Sequence, residues 1–338
     1  MTVRIITGDC REVLRTLEDQ SVHCCVTSPP YFGLRDYGHS EQIGLEPTPG
    51  GFVAQLVGVF DEVRRVLRDD GTLWLNLGDS YARNARKGQH KPGDAGKQNY
   101  IIERGNGRAA SGVDFSAGGE LKEKDLIGIP WATAFALRSA GWYLRRDIIW
   151  SKPNPMPESV EDRCTSSHEY IFHLSKSARY YYDKDAIAEP AIYAGLTGQD
   201  ASGYKDAQLY DGKHKKSDKQ RGHGRHHAGF NDRWDKMSRK EQCSGTRNKR
   251  SVWEVATKPF AEAHFATFPP DLIEPCIKAG CPVGGTVLDP FGGAGTTGLV
   301  ADRLGRDAVL IEINPEYAAL SERRFQQDAG MFYNTAAQ

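Results

Sequence analysis

The 338-residue chain balances 44 Lys and Arg against 44 Asp and Glu, and 39% of it is hydrophobic, enough for one large α/β domain with an insert or for two domains. No apolar run approaches the roughly 20 residues of a membrane span, and Met1 to Thr7 alternates like a strand, which argues against a membrane protein or a secretory leader and for a cytoplasmic one. The seven cysteines are scattered without Cys-x-x-Cys spacing, so neither a disulfide framework nor a four-cysteine zinc site is indicated.

In chain order, Val3 to Thr7 reads as a strand, and Gly8-Asp9 leads into a helix over Arg11 to Leu17. Asp9 with Glu12 fits a capping-box variant, so Asp9 has a purely structural reading beside the functional one given below. The apolar run Val22 to Val26 ends in Thr27-Ser28-Pro29-Pro30-Tyr31. Two prolines stiffen the backbone and remove two amide donors, grouping rigid carbonyls, a hydroxyl and an aromatic ring where a parallel strand leaves its sheet, as suits the grip on a planar amine. An aromatic, glycine-rich loop, Phe32 to Gly38, follows.

Phe52 to Leu67 has helical periodicity and Thr72 to Leu77 reads as the next strand, an order that indicates a parallel sheet. Residues 83–125 are rich in Gly, Lys, Arg, Asn and Ser and are expected to form a flexible loop, because they bury too little apolar surface to offset their ordering entropy. Ile129 to Ala140 is a helix with Pro130 in its first turn, and Trp142 to Trp150 and His168 to Leu174 are strands.

Between Gly203 and Ser251 there are 14 Lys and Arg against 6 Asp and Glu, an excess of eight positive charges interleaved with Tyr204, Tyr210, Phe230 and Trp234. His214, His223, His226 and His227 lie in its middle without the spacing that completes a familiar ligand set, so no metal is expected. A solvated basic loop and a phosphate-contacting surface are the two readings, and the second is favoured.

After His264 to Pro269 come a helix over Asp271 to Ala279 and the strand Thr286 to Asp289. Pro290-Phe291-Gly292-Gly293-Ala294-Gly295-Thr296-Thr297-Gly298 then opens a helix, and the strand Ala308 to Ile313 carries Glu312 near its tip, 17 residues after Gly295. Gly293 to Gly298 match Gly-x-Gly-x-x-Gly, the fingerprint of a nucleoside-containing cofactor, with Glu312 placed to accept from both ribose hydroxyls. S-adenosylmethionine is favoured over NAD, because Asp289-Pro290-Phe291 delays the glycines beyond the strand and the chain offers an amine grip but no hydride-transfer constellation.

Taken together, Thr27 to Tyr31, Asp289 to Thr296, Gly8-Asp9, Trp150 to Asn154, His168 to Ile171 and His264 to Pro269 resemble, in content and order, the N4-cytosine/N6-adenine DNA amino-methyltransferases. The order is the permuted β arrangement, with the catalytic motif before the cofactor motif. The resemblance implies a doubly wound, mostly parallel Rossmann-like methyltransferase sheet. Residues 1–182 and 255–338 would form the catalytic and S-adenosylmethionine-binding domain, and 183–254 an inserted basic target-recognition region.

It implies cofactor contacts at Asp9, Asp289, Phe291, Gly293, Gly295, Thr296, Thr297, Glu312, Phe268 and Pro269, and catalysis by Ser28, Pro29, Pro30 and Tyr31. The partner implied is double-stranded DNA, contacted by Arg35, Lys152, Lys213, Lys215, Lys216, Arg221, Arg225, Arg247, Lys249 and Arg250, with or without a cognate restriction endonuclease. Asp at position 28 typifies adenine enzymes and Ser is more often found with cytosine N4, so cytosine is favoured over adenine. RNA or a protein amide as substrate, a DNA-binding protein that holds the cofactor without turnover, and a nicotinamide-dependent oxidoreductase are the competing readings.

Overall fold

The computed structural model describes residues 1–33, 42–84, 99–102, 121–122, 124–191, 246–258 and 268–329. Its first half comprises β1 (Val3–Thr7), α1 (Cys10–Thr16), β2 (Val22–Thr27), α2 (Pro49–Val66), β3 (Leu67–Leu77), β4 (Tyr81–Asn84), β5 (Asn99–Ile102), α3 (Ile129–Ser139), β6 (Tyr143–Ser151) and β7 (His168–Ser175). Then follow β8 (Glu189–Pro190), β9 (Thr246–Arg247), β10 (Val252–Glu254), α4 (Pro270–Gly280), β11 (Thr286–Asp289), α5 (Thr296–Arg303), β12 (Asp307–Glu312) and α6 (Pro315–Ala329).

Eight strands form one sheet in the order β1-β12-β11-β2-β3-β7-β6-β10, in which β7 alone runs antiparallel. Both faces are covered, which explains the near-continuous burial of β2 and β3. Leu73, Leu75 and Leu77 join Leu14 of α1 and Phe52, Leu56 and Phe60 of α2 in one apolar cluster. The alternate residues Thr72 and Trp74 point to the other face, against Gly280 at the end of α4. Helix α2 starts where the Thr48 hydroxyl accepts from the Gly51 amide with Pro49 in the first turn, and it buries one stripe, Phe52, Leu56, Val59, Phe60 and Val63.

The chain divides into two units, residues 1–183 with 250–338, and residues 184–249. Val252–Glu254, expected inside the insert, instead extends the main sheet beside β6, because its alternation buries Trp253 between two exposed neighbours. In the smaller unit, β8 pairs antiparallel with β9, and Glu189 faces Arg247 and Lys249 at 3.5 and 3.8 Å.

Most of 83–125 lies outside the described residues. Residues 99–102, expected in a structureless loop, form a strand parallel to β4, as the run Tyr100-Ile101-Ile102 favours. No helix among the described residues is long and apolar enough to cross a membrane.

The chain steps from β2 outward to β3 in one direction and from β11 outward to β12 in the other, so the strand order reverses between the neighbours β2 and β11. In an open parallel sheet the crevice at such a switch point, beyond the carboxyl ends of the strands, is where ligands bind. The Ser-Pro-Pro-Tyr segment leaves β2 there and the glycine turn leaves β11 beside it.

Candidate active site

Asp289 joins these two strand ends. Its carboxylate is buried and accepts from the Thr27 hydroxyl at 2.6 Å, the Thr297 hydroxyl at 2.6 Å and the Phe291 amide at 3.0 Å. Burial pushes its carboxyl above the usual range, and the three donors oppose the rise. With all these bonds turned inward, Asp289 fixes the glycine turn against the end of β2. Thr297, also expected at the cofactor, has the same inward role.

The turn itself separates glycines by purpose. Gly293 has φ 52°, and a Cβ there would meet only the Phe291 carbonyl oxygen at 3.9 Å, so its α-carbon borders open space. Gly295 has φ 75°, and a Cβ there would fall 2.9 Å from both Phe325 and Ser321 of α6. Gly295 is therefore required by helix packing, whereas Gly293 leaves its backbone open to close approach. The Ser321 hydroxyl donates to the Gly293 carbonyl at 2.7 Å, and Arg324 donates to the Ala294 carbonyl and the Thr296 hydroxyl, both at 2.9 Å.

Glu312 ends β12 next to this turn. Oε2 accepts from the Gly293 amide at 2.7 Å and Oε1 from the Asn314 amide at 2.9 Å. Burial raises its carboxyl above the usual range, against those two amides and that of Ile313. Thr7 lies in register with Glu312, and the Gly8 amide donates to the Glu312 carbonyl, so Asp9 stands at the same edge. There Asp9 caps α1 through the Arg11 amide and is gripped by the Arg11 guanidinium at 2.5 Å. Phe291 is partly buried against the core; Phe268 is half-buried and Pro269 buried at the start of α4.

The half of the site around Ser28 to Tyr31 is a polar cluster at the ends of β2, β3, β6 and β7. Tyr31 is half-buried with its hydroxyl turned inward, donating to Glu169 Oε2 at 2.5 Å. Burial, followed by the Glu169 charge, drives the phenol far above its usual range, so it stays a donor. Asn76 Nδ2 lies 2.9 Å from the Tyr31 hydroxyl, 3.0 Å from Glu169 Oε2 and 3.3 Å from Ser28 Oγ. The Tyr31 ring rests on Gly78, where a Cβ would come within 2.6 Å of it.

Lys152, expected to contact DNA, is instead ion-paired with Glu169, and its ammonium sits 4.4 Å from the centroid of the Trp150 ring. The reason is register: Trp150 and Ser151 lie opposite Glu169 and His168, so the next residue meets the Glu169 carboxylate.

A family model described as DNA methylase matches residues 22–323. The chain belongs to the N4/N6 amino-methyltransferase family. It is 46% identical over 322 residues to the Type II methyltransferase M.XycI of Xanthomonas campestris pv. cyanopsidis, covering 95% of this chain and 87% of that protein. With the Type II methyltransferase M.SmaI of Serratia marcescens it shares 44% over 321 residues, covering 95% and 90%. In fold it is similar to PvuII DNA methyltransferase (cytosine-N4-specific), with TM-score 0.59, 16% identity and coverage of 100% and 89%. It is also similar to a DNA modification methylase of Thermus thermophilus in complex with S-adenosyl-L-methionine, with TM-score 0.57, 24% identity and full coverage of both chains.

The methyl donor of this DNA methyltransferase is S-adenosylmethionine, and the residues present fit it: Gly293 leaves room for close approach and the Glu312 carboxylate is an acceptor suited to a ribose hydroxyl. Of the expected DNA contacts, Arg35, Lys213, Lys215, Lys216, Arg221 and Arg225 lie outside the described residues, and Arg250 is exposed. Sequence reasoning missed Asn76 and Glu169 as site residues. The signal for Asn76 was a carboxamide inside the apolar strand Thr72 to Leu77, since a buried polar group on a strand requires partners.

Proposed function

We propose that the enzyme methylates the exocyclic N4 of a cytosine flipped out of duplex DNA. The observation that carries this reading is the neutral hydroxyl at position 28 beside an existing anion: Ser28 and Glu169 share Asn76 Nδ2 as a donor. A second carboxylate at position 28, the residue typical of adenine enzymes, would meet that charge at close range. The fold neighbour specific for cytosine N4 supports the same choice.

An exocyclic amino nitrogen is a poor nucleophile because its lone pair is delocalised into the ring. Ser28 Oγ and the Pro29 carbonyl accept its two N–H groups, drawing the nitrogen toward tetrahedral geometry, while Tyr31 stacks on the base. Such stacking contributes about 1–3 kcal/mol per base. Bound S-adenosylmethionine supplies an electrophilic methyl group, and the proton leaves through solvent. These contacts cannot form inside a duplex, so the base leaves the stack.

The basic stretch 203–251 is proposed to recognise the target, its Lys and Arg contacting phosphates and guanine edges. The names of the relatives support a place as the modification half of a Type II restriction system. The test is transfer from labelled S-adenosylmethionine to mixed-sequence duplex DNA, followed by digestion to nucleosides. Label in N4-methyldeoxycytidine is expected. Label in N6-methyldeoxyadenosine refutes the base, and label in RNA or protein alone refutes the substrate.

A further inference from the structure

We infer that Glu169 and Asn76 are positioning residues of the base pocket: Glu169, held by Lys152, fixes the Tyr31 ring through its hydroxyl, and Asn76 ties that anchor to Ser28. The inference rests on the reading that a target base is held at Ser28 to Tyr31, but it applies equally to cytosine or adenine.

The cluster is costly for a purely structural one. Lys152 and Glu169 have side chains only 18% and 13% exposed, and a buried ion pair is generally no more stabilising than apolar residues of the same volume. Asn76, 4% exposed, points its amide nitrogen at three oxygens while its Oδ1 is buried without a partner, so the orientation is set by the cluster at the expense of that carbonyl. What the arrangement accomplishes is geometric. A tyrosine on the segment after β2 would otherwise turn about its side-chain torsions. Here its far end is clamped by a charge-assisted hydrogen bond and its flank lies on Gly78.

The ring is thus oriented before a base arrives, and the ordering cost is met in folding instead of in binding. Asn76 extends the clamp to Ser28: its N–H occupies one lone pair of Oγ and leaves the other for the amine. Proton transfer through the cluster is not implied, because the Asn76 amide has no proton to relay at neutral pH and the Tyr31 phenol is held as a donor.

The experiment is a double-mutant cycle of Glu169→Gln and Tyr31→Phe. It reads single-turnover methylation of unmethylated plasmid DNA, KM for that DNA, S-adenosylmethionine affinity by calorimetry and the thermal midpoint. Tyr31→Phe keeps the stacking ring and removes only the anchor. Each single variant is expected to lose about 10- to 100-fold in single-turnover rate, the range of one hydrogen bond to a charged group, with cofactor affinity unchanged. The double variant is expected to be no slower than the slower single.

Losses that multiply in the double variant overturn the inference, as does a parallel fall in cofactor affinity or an unchanged rate in Tyr31→Phe. Should Glu169→Gln fail to fold, the Tyr31→Phe rate with its cofactor affinity decides alone. Failure of the wild-type enzyme to modify cytosine would refute the base assignment and leave this cycle readable on whichever base is modified.

Discussion

Glu312→Gln isolates the cofactor half of the site. The carboxylate holds two backbone amides, at 2.7 and 2.9 Å, and we propose that its remaining acceptor capacity takes the ribose hydroxyls of the cofactor. Glutamine keeps one oxygen and turns an NH2 group toward the other position, so one backbone amide and one ribose hydroxyl lose their acceptor and the rest lose the charge. With hydrogen bonds to charged groups at about 1.5–3 kcal/mol, the loss in cofactor binding is on the order of 2–4 kcal/mol, or roughly 30- to 1000-fold in Kd. Calorimetric titration with S-adenosylmethionine at neutral pH measures it directly. A Kd within about threefold of wild type would refute the placement of the ribose at Glu312.

The same group sets a pH dependence. Burial raises the Glu312 carboxyl in the free enzyme, and ribose donors favour its ionised form, so cofactor affinity should be level at high pH and fall as pH drops through that raised value; affinity rising toward acid would contradict this. For folding the sign is opposite: the raised carboxyls of Glu312 and Asp289 contribute stability that is present in acid and declines as pH rises through their folded-state values.

Asp289→Asn should fold with nearly wild-type stability, since the Thr297 hydroxyl can accept from the new amide and donate to the Val26 carbonyl, already 3.3 Å away. Asp289→Ala should cost at least about 3 kcal/mol by denaturant unfolding, because buried donors are left unpaired; equal losses in the two variants would refute the bonding scheme. Gly78→Ala places a methyl group within 2.6 Å of Tyr31 and should lower single-turnover methylation while leaving cofactor affinity intact, and an unchanged rate would show that the ring position is unimportant. Neutralising four Lys or Arg between Lys213 and Arg250 should flatten the dependence of DNA affinity on salt, and an unaltered slope would move recognition elsewhere.

The order of strands and helices was legible because the hydrophobic period changes along the chain, as from the helical stripe Phe52, Leu56, Val59, Phe60 and Val63 to the apolar strand Thr72 to Leu77, although β3 begins earlier than expected, at Leu67. β1 pairs in parallel with β12, which sets Thr7 in register with Glu312. What sequence could not supply was direction inside a motif. Asp289 and Thr297 stand in the segment expected to hold the cofactor but point inward, and Lys152, expected to contact DNA, faces Glu169. Asp289 is turned toward Thr27, 262 residues away, and Glu169 meets Asn76, 93 residues away, pairings between neighbouring strands that no local pattern encodes. Val252 to Glu254 escaped for the opposite reason: three alternating residues are too short to stand out from a basic stretch.

The central claim, a methyl donor at Gly293 and Glu312 delivered to an amine held at Ser28 and Tyr31, is tested most directly by nucleoside mass spectrometry of genomic DNA from a host expressing the enzyme or its Ser28→Ala variant. N4-methyldeoxycytidine with the wild-type enzyme, and none above background with a variant whose cofactor affinity is unchanged, is the result predicted. N6-methyldeoxyadenosine in place of N4-methyldeoxycytidine would overturn the choice of base, and undiminished methylation by the variant would contradict the claim itself.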